Sequence, residues 1–118
     1  MRYPQLDNNA VMAQVRELAE KKKVFRNRNL TSQGIADEIG ISRSTLSTII
    51  NRELSMSFTE YISRLRLDYA HQLMQHNKDN LSLEQISFLS GFSCPSSFYR
   101  QHRKIYGTTP SVEMANKK

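Results

Sequence analysis

Arg43, Ser44, Ser47, Thr48 and Asn51 recur at one-, three- and four-residue steps along one short stretch. Ser96, Ser97, Tyr99, Arg100, Arg103 and Lys104 do the same about fifty residues later. Hydroxyl, amide and guanidinium groups on one helical face can meet an array of donors, acceptors and phosphates. They suit neither proton transfer nor nucleophilic attack, because no base and orienting partner accompany them. The recognition chemistry is split unequally. Residues 31–51 hold Arg43 against Asp37 and Glu38, a net of −1, whereas residues 81–110 hold Arg100, Arg103 and Lys104 against Glu84, a net of +2. The second stretch is therefore expected to carry more of any salt-dependent affinity.

Other chemistry finds little support. His71 and His76 are five residues apart, off one helical face, and His102 completes no metal-ligand spacing with them. The single cysteine, Cys94, excludes an internal disulfide framework and a cysteine-rich zinc site. It reads as a small residue at a turn. Glycine-rich phosphate loops and paired acid-base carboxylates are absent, and the five methionines read as core filler and terminal residues. The expectation is no enzyme, no cofactor and no metal.

Local sequence specifies the elements that would present those residues. Ile35, Ala36, Ile39, Gly40, Ile41, Leu46 and Ile49 describe a helix, a sharp glycine turn and a second helix. Ala36 is small where the two would cross, and Gly40 favours the left-handed turn. The segment from Ile86 to Arg103 echoes this with Gly91 and Phe98. Leu46 lies six residues after Gly40, but Phe98 lies seven after Gly91, so the second turn is expected to be longer. A first helix is expected over Asn9 to Lys22, with Val11, Val15, Leu18 and Ala19 inward. Phe25 and Leu30 should anchor the loop that follows.

A long helix is expected over Phe58 to His76, started by a capping box of Ser57 and Glu60. Its apolar stripe reads Phe58, Ile62, Leu65, Tyr69, Leu73. Its length is roughly 28 Å, close to the ~34 Å between successive major-groove faces on one side of a duplex. Ser82 and Gln85 form a second box, Pro95 suits a first helical turn, and Pro110 begins a last short helix. Residues 115–118 should fray. Strand signals are nearly absent.

The fold expected is all-α: two helix-turn-helix subdomains (1–56 and 77–118) joined by a linker helix (57–76), about seven helices in all. With 118 residues and a net charge of +6, the balance suits a nucleic-acid binder. No apolar run approaches the roughly 20 residues that span a bilayer, and no signal peptide is visible. The cytoplasm is the expected compartment, and the domain would face it if the whole protein were anchored in a membrane. The chain leaves no room for a ligand-sensing domain, which suggests the output end of a longer protein.

The pattern resembles the DNA-binding domain of the AraC/XylS family of bacterial transcription regulators. The resemblance rests on Gly91-Phe92, on Ser97-Phe98-Tyr99-Arg100, and on Tyr106-Gly107-Thr108-Thr109-Pro110. The middle block Ser57 to Ile62, with Arg64 to Leu67 and Ala70, is similar to the family's linker helix. The resemblance implies two subdomains binding double-stranded promoter DNA through both recognition helices, with RNA polymerase as a further partner of activators. The stretch Ser42 to Asn51 is similar to a branch found as the output domain of larger sensor proteins. Two positions depart from the family. His102 stands where a second aromatic is common, and the first recognition helix carries Ser44, Ser47 and Thr48 where a bulky or basic reader is common. On this reading the contact residues are the eleven polar residues named at the outset, with Arg103 and Lys104 on phosphates. Arg64 and Arg66 could approach the backbone, but one is expected to pair with Asp68. Lys21-Lys22-Lys23 with Arg26 and Arg28 could contact phosphate, but reads rather as a solvated helix end or a junction to an upstream domain. The alternative is a helical module that holds a protein partner.

Overall fold

A computed structural model describes residues 8–116. Among them are seven α-helices and no strand: α1 (Asn8–Arg16), α2 (Ser32–Ile39), α3 (Arg43–Leu54), α4 (Phe58–Gln75), α5 (Leu83–Leu89), α6 (Pro95–Tyr106) and α7 (Pro110–Asn116). None is long and apolar enough to cross a membrane. The chain forms two compact units. Residues 8–24 and 30–62 make the first, and residues 25–29 and 63–116 make the second.

In the first unit α1 packs on both α2 and α3. Val11, Met12, Val15, Ile35, Ala36, Leu46, Ile49 and Ile50 are buried there. Met12 joins this core, whereas Leu18 is only half-buried. The first helix also ends differently from expectation. After Arg16 the chain widens into a π-type turn over Glu17–Lys21, so the residues beyond it sit at angles that a uniform 3.6-residue period misplaces.

Both helices of the first helix-turn-helix start on hydroxyl caps. The Thr31 side chain accepts the Gly34 N–H, and Ser42 accepts the Thr45 N–H, each at 3.0 Å. These bonds satisfy backbone donors that the helix itself leaves unpaired. Gly40 sits at φ 90°, and its N–H bonds to the Ala36 carbonyl. That left-handed residue ends α2 at little steric cost.

The second unit gathers Leu67, Ala70, Met74, Ile86, Phe92 and Phe98 into one core. Ser82 and Gln85 form a complete reciprocal capping box on α5. Pro95 occupies the first turn of α6, and Gly107 ends it at φ 76°. Residues 40–42 link α2 to α3, but residues 90–94 link α5 to α6, which accommodates the later position of Phe98.

The linker helix buries a different line from the expected one. Tyr61, Ile62, Leu67, Ala70 and Met74 are its buried apolar residues, while Phe58, Leu65, Tyr69 and Leu73 are half-buried. A helix that supplies two cores needs a broader apolar surface than one stripe provides. Ser57 caps it by accepting the Glu60 N–H at 3.1 Å. At the end expected to fray, Ala115 and Asn116 are helical, and Lys117 and Lys118 lie outside the described residues.

Candidate nucleic-acid interface

The recognition face of the first unit follows from the burial of α3. Leu46, Ile49 and Ile50 turn inward. Arg43, Ser44, Ser47, Thr48 and Asn51 are thereby left exposed together on the opposite side. A shallow concavity of about 290 Å³ is lined by Asn8, Ser44, Thr45, Thr48, Ile49 and Arg52. Arg52 was passed over in the sequence reading. The available signal was its position four residues after Thr48 and eight after Ser44, which places it on their side of the helix.

In the second unit Phe98 and His102 anchor α6. Ser96, Arg100, Arg103 and Lys104 are exposed, while Ser97 and Tyr99 are half-buried. Tyr99 stands edge-on to Phe98, with ring centroids 5.9 Å apart, and packs at the border of the core. Arg100 reaches back to Ser97, its Nη2 donating to Oγ at 3.5 Å.

Cys94 is the N-cap residue of α6 and is exposed. Its Sγ lies 3.1 Å from Ser96 Oγ and 3.4 Å from Ser97 Oγ. Hydrogen bonds from Ser96, and then from Ser97, stabilise the thiolate and bring the thiol pKa down to about 6. The turn thus places a potential anion beside the exposed face.

His102 is buried and fully bonded. Its Nδ1 donates to the Thr108 carbonyl at 2.5 Å, and its Nε2 meets Glu113 Oε1 at 2.7 Å. The other carboxylate oxygen of Glu113 lies 2.5 Å from His71 Nδ1. A single carboxylate therefore lies between two of the three histidines. The contacts are direct between the side chains, and among the described residues no group of three such ligands is arranged to hold a metal ion. His102 ties α6 to α7, which explains how a polar residue replaces the expected aromatic. Tyr106 packs on it at 4.8 Å between ring centroids. Burial, then the charges of Asp68 and Glu113, raise the Tyr106 hydroxyl pKa.

Three arginines are committed differently from expectation. Arg66 holds main-chain carbonyls. Its Nε donates to the Phe25 carbonyl at 2.7 Å and its Nη2 to the Asn27 carbonyl at 3.0 Å. Burial lowers its pKa. Arg26 donates to the Leu89 carbonyl at 3.0 Å and lies over the Tyr69 ring. Arg28 stacks on Phe88. The basic run is thus divided: Lys21 pairs with Glu17 at 3.8 Å, while Arg26 and Arg28 belong to the second unit. Sequence offered no sign of this, because the partners lie 39 to 63 residues away in the chain.

A helix-turn-helix domain family matches residues 35–115. The chain is 38% identical over 76 residues to histidine kinase P4 of Formosa agariphila, covering 64% of this chain and 5% of that protein. It is 33% identical over 86 residues to the HTH-type transcriptional regulator CdhR of Pseudomonas aeruginosa, covering 73% of this chain and 25% of that one. The chain therefore spans at most a quarter of the length of these two relatives. Among solved structures it is similar to a transcriptional regulator from Chromobacterium violaceum, described as an AraC-type DNA-binding domain-containing protein. That likeness has a TM-score of 0.69 at 28% identity and covers 88% of this chain and 94% of that one. The paired helix-turn-helix units, the polar faces of α3 and α6 and these matches lead to one conclusion: the chain belongs to the AraC-type family of helix-turn-helix DNA-binding domains.

Proposed function

We propose that this chain is the DNA-binding output module of a bacterial transcription regulator that activates promoters in the cytoplasm. The observation that carries this reading is the shared design of α3 and α6. Each follows a glycine-containing turn, buries an apolar side and presents a polar face. Such a helix fits the major groove, with its side chains on base edges and its flanks on phosphates. In the first unit Arg43, Ser44, Ser47, Thr48 and Asn51 meet the duplex. In the second Ser96, Ser97, Tyr99 and Arg100 do so, with Arg103 and Lys104 on the backbone. The kinase relative supports an upstream sensor domain as the source of the signal, and RNA polymerase is the partner through which activation would act.

Selection of duplexes from a random pool tests this reading. Two short sequence motifs are expected in the bound fraction, and binding should weaken steeply with salt. Absence of duplex binding at low salt would overturn it.

A further inference from the structure

Residues 25–29 lie between α1 and α2 in sequence, yet they form part of the second unit. This strap is held from several sides. Arg66 donates to the Phe25 and Asn27 carbonyls, and Arg26 donates to that of Leu89. Gly91 admits its backbone: a Cβ there would lie 2.4 Å from the Phe25 carbonyl oxygen. A segment fixed this tightly presents its next side chain, Arg28, at a defined place.

That place is beside the second recognition helix. Arg28 lines a cavity of about 530 Å³ together with Glu84, Phe88, Ser93, Cys94 and Pro95. Ser93 and Cys94 form the turn, and Pro95 begins α6. The Arg28 Cζ lies 4.4 Å from the centroid of the Phe88 ring, and Phe88 is 55% exposed. Stacking on the ring occupies the face of the guanidinium and leaves its in-plane N–H groups available. Glu84 lines the same cavity, and among the described residues it forms no ion pair with Arg28. The arrangement is an oriented cation held on an exposed ring, in a cavity of mixed lining at the edge of the helix that would enter the groove. Backbone phosphates flank a helix seated in the major groove, and a planar guanidinium binds them through paired N–H donors.

The geometry points to Arg28, held by Phe88, as a phosphate clamp of the second DNA-reading unit, carried in by a strap from the other end of the sequence. This rests on the DNA-binding reading above. The clamp adds affinity without reading sequence.

The test is titration of the full 118-residue chain with a labelled random duplex between about 50 and 200 mM salt. Arg28→Gln, Phe88→Leu and Lys78→Gln are compared with the parent, each with a thermal melt. Arg28→Gln should weaken binding about tenfold and reduce the salt slope by about 0.9, as expected for one lost phosphate contact. Phe88→Leu retains the charge, so it should weaken binding while keeping the slope. Lys78→Gln removes an equal charge from an exposed loop position and should match the parent. An Arg28→Gln protein that binds like the parent, or a slope that falls equally in Lys78→Gln, overturns the clamp. So does a loss of binding that comes with a lower melting temperature, or a Phe88→Leu protein with unchanged affinity. If the parent itself binds no duplex at low salt, the DNA-binding reading falls first and the clamp with it.

Discussion

Cys94 shows how much one residue gains from its placement. Cysteine is an unusual N-cap, since a side-chain oxygen normally accepts the free backbone N–H groups of a helix start. Thr31, Ser42 and Ser82 do this for α2, α3 and α5. Ser96 and Ser97 instead stabilise the thiolate of Cys94, lowering its pKa from 9.0 to about 6. The reactive form is the thiolate, so alkylation should depend on pH accordingly. In the folded protein the iodoacetamide rate should rise through a midpoint near 6 and level off by neutral pH. In urea, where the two serines no longer hold the sulfur, the midpoint should return towards 9.0. Equal midpoints in the two conditions would show that the serines have no such effect. Sequence placed Cys94 at a turn beside Pro95. The serine contacts were out of reach, because they depend on rotamers around the first turn of α6. His102 was legible only as a departure from the family, since its partners Thr108 and Glu113 lie on the far side of the Gly107 turn.

At the scale of elements, glycine positions separate two uses of the same backbone freedom. Gly40 and Gly91 both have positive φ, at 90° and 101°. Around Gly40 an added Cβ meets nothing within 4 Å. At Gly91 it would meet the Phe25 carbonyl at 2.4 Å and Arg26 Cα at 2.8 Å, both backbone atoms. Gly40→Ala should therefore cost only the left-handed strain, about 1–2 kcal/mol. Gly91→Ala adds a clash with the strap and should cost about 3 kcal/mol or more. Urea titration of the two variants measures the difference, and equal losses would mean that the strap yields freely. Helix starts and stops marked by caps, prolines or glycines were legible, because those residues act over three or four positions, whereas the π-type end of α1 was not. The buried line of α4 was not, because Leu67, Ala70 and Met74 are selected by what packs against them rather than by spacing alone.

For the whole molecule, the uneven distribution of charge predicts an uneven division of labour on DNA. Replacing Arg100, Arg103 and Lys104 together with Gln should reduce the salt slope by about 2–3. Arg43→Gln should reduce it by about 0.9. The same loss from both variants, measured by fluorescence anisotropy across salt, would place the units on an equal electrostatic footing. The amino-acid sequence by itself determined the all-helical architecture, the two helix-turn-helix units, their caps and turns, and the polar sets on α3 and α6. These follow from apolar periodicity and from capping chemistry, which operate between near neighbours. Only the tertiary structure decided that residues 25–29 join the second unit, that Arg66 and Arg26 hold main-chain carbonyls, and that Glu113 joins His102 to His71. Those choices depend on chain segments far apart in sequence finding complementary donors, acceptors and space, and local patterning carries no record of such a partner.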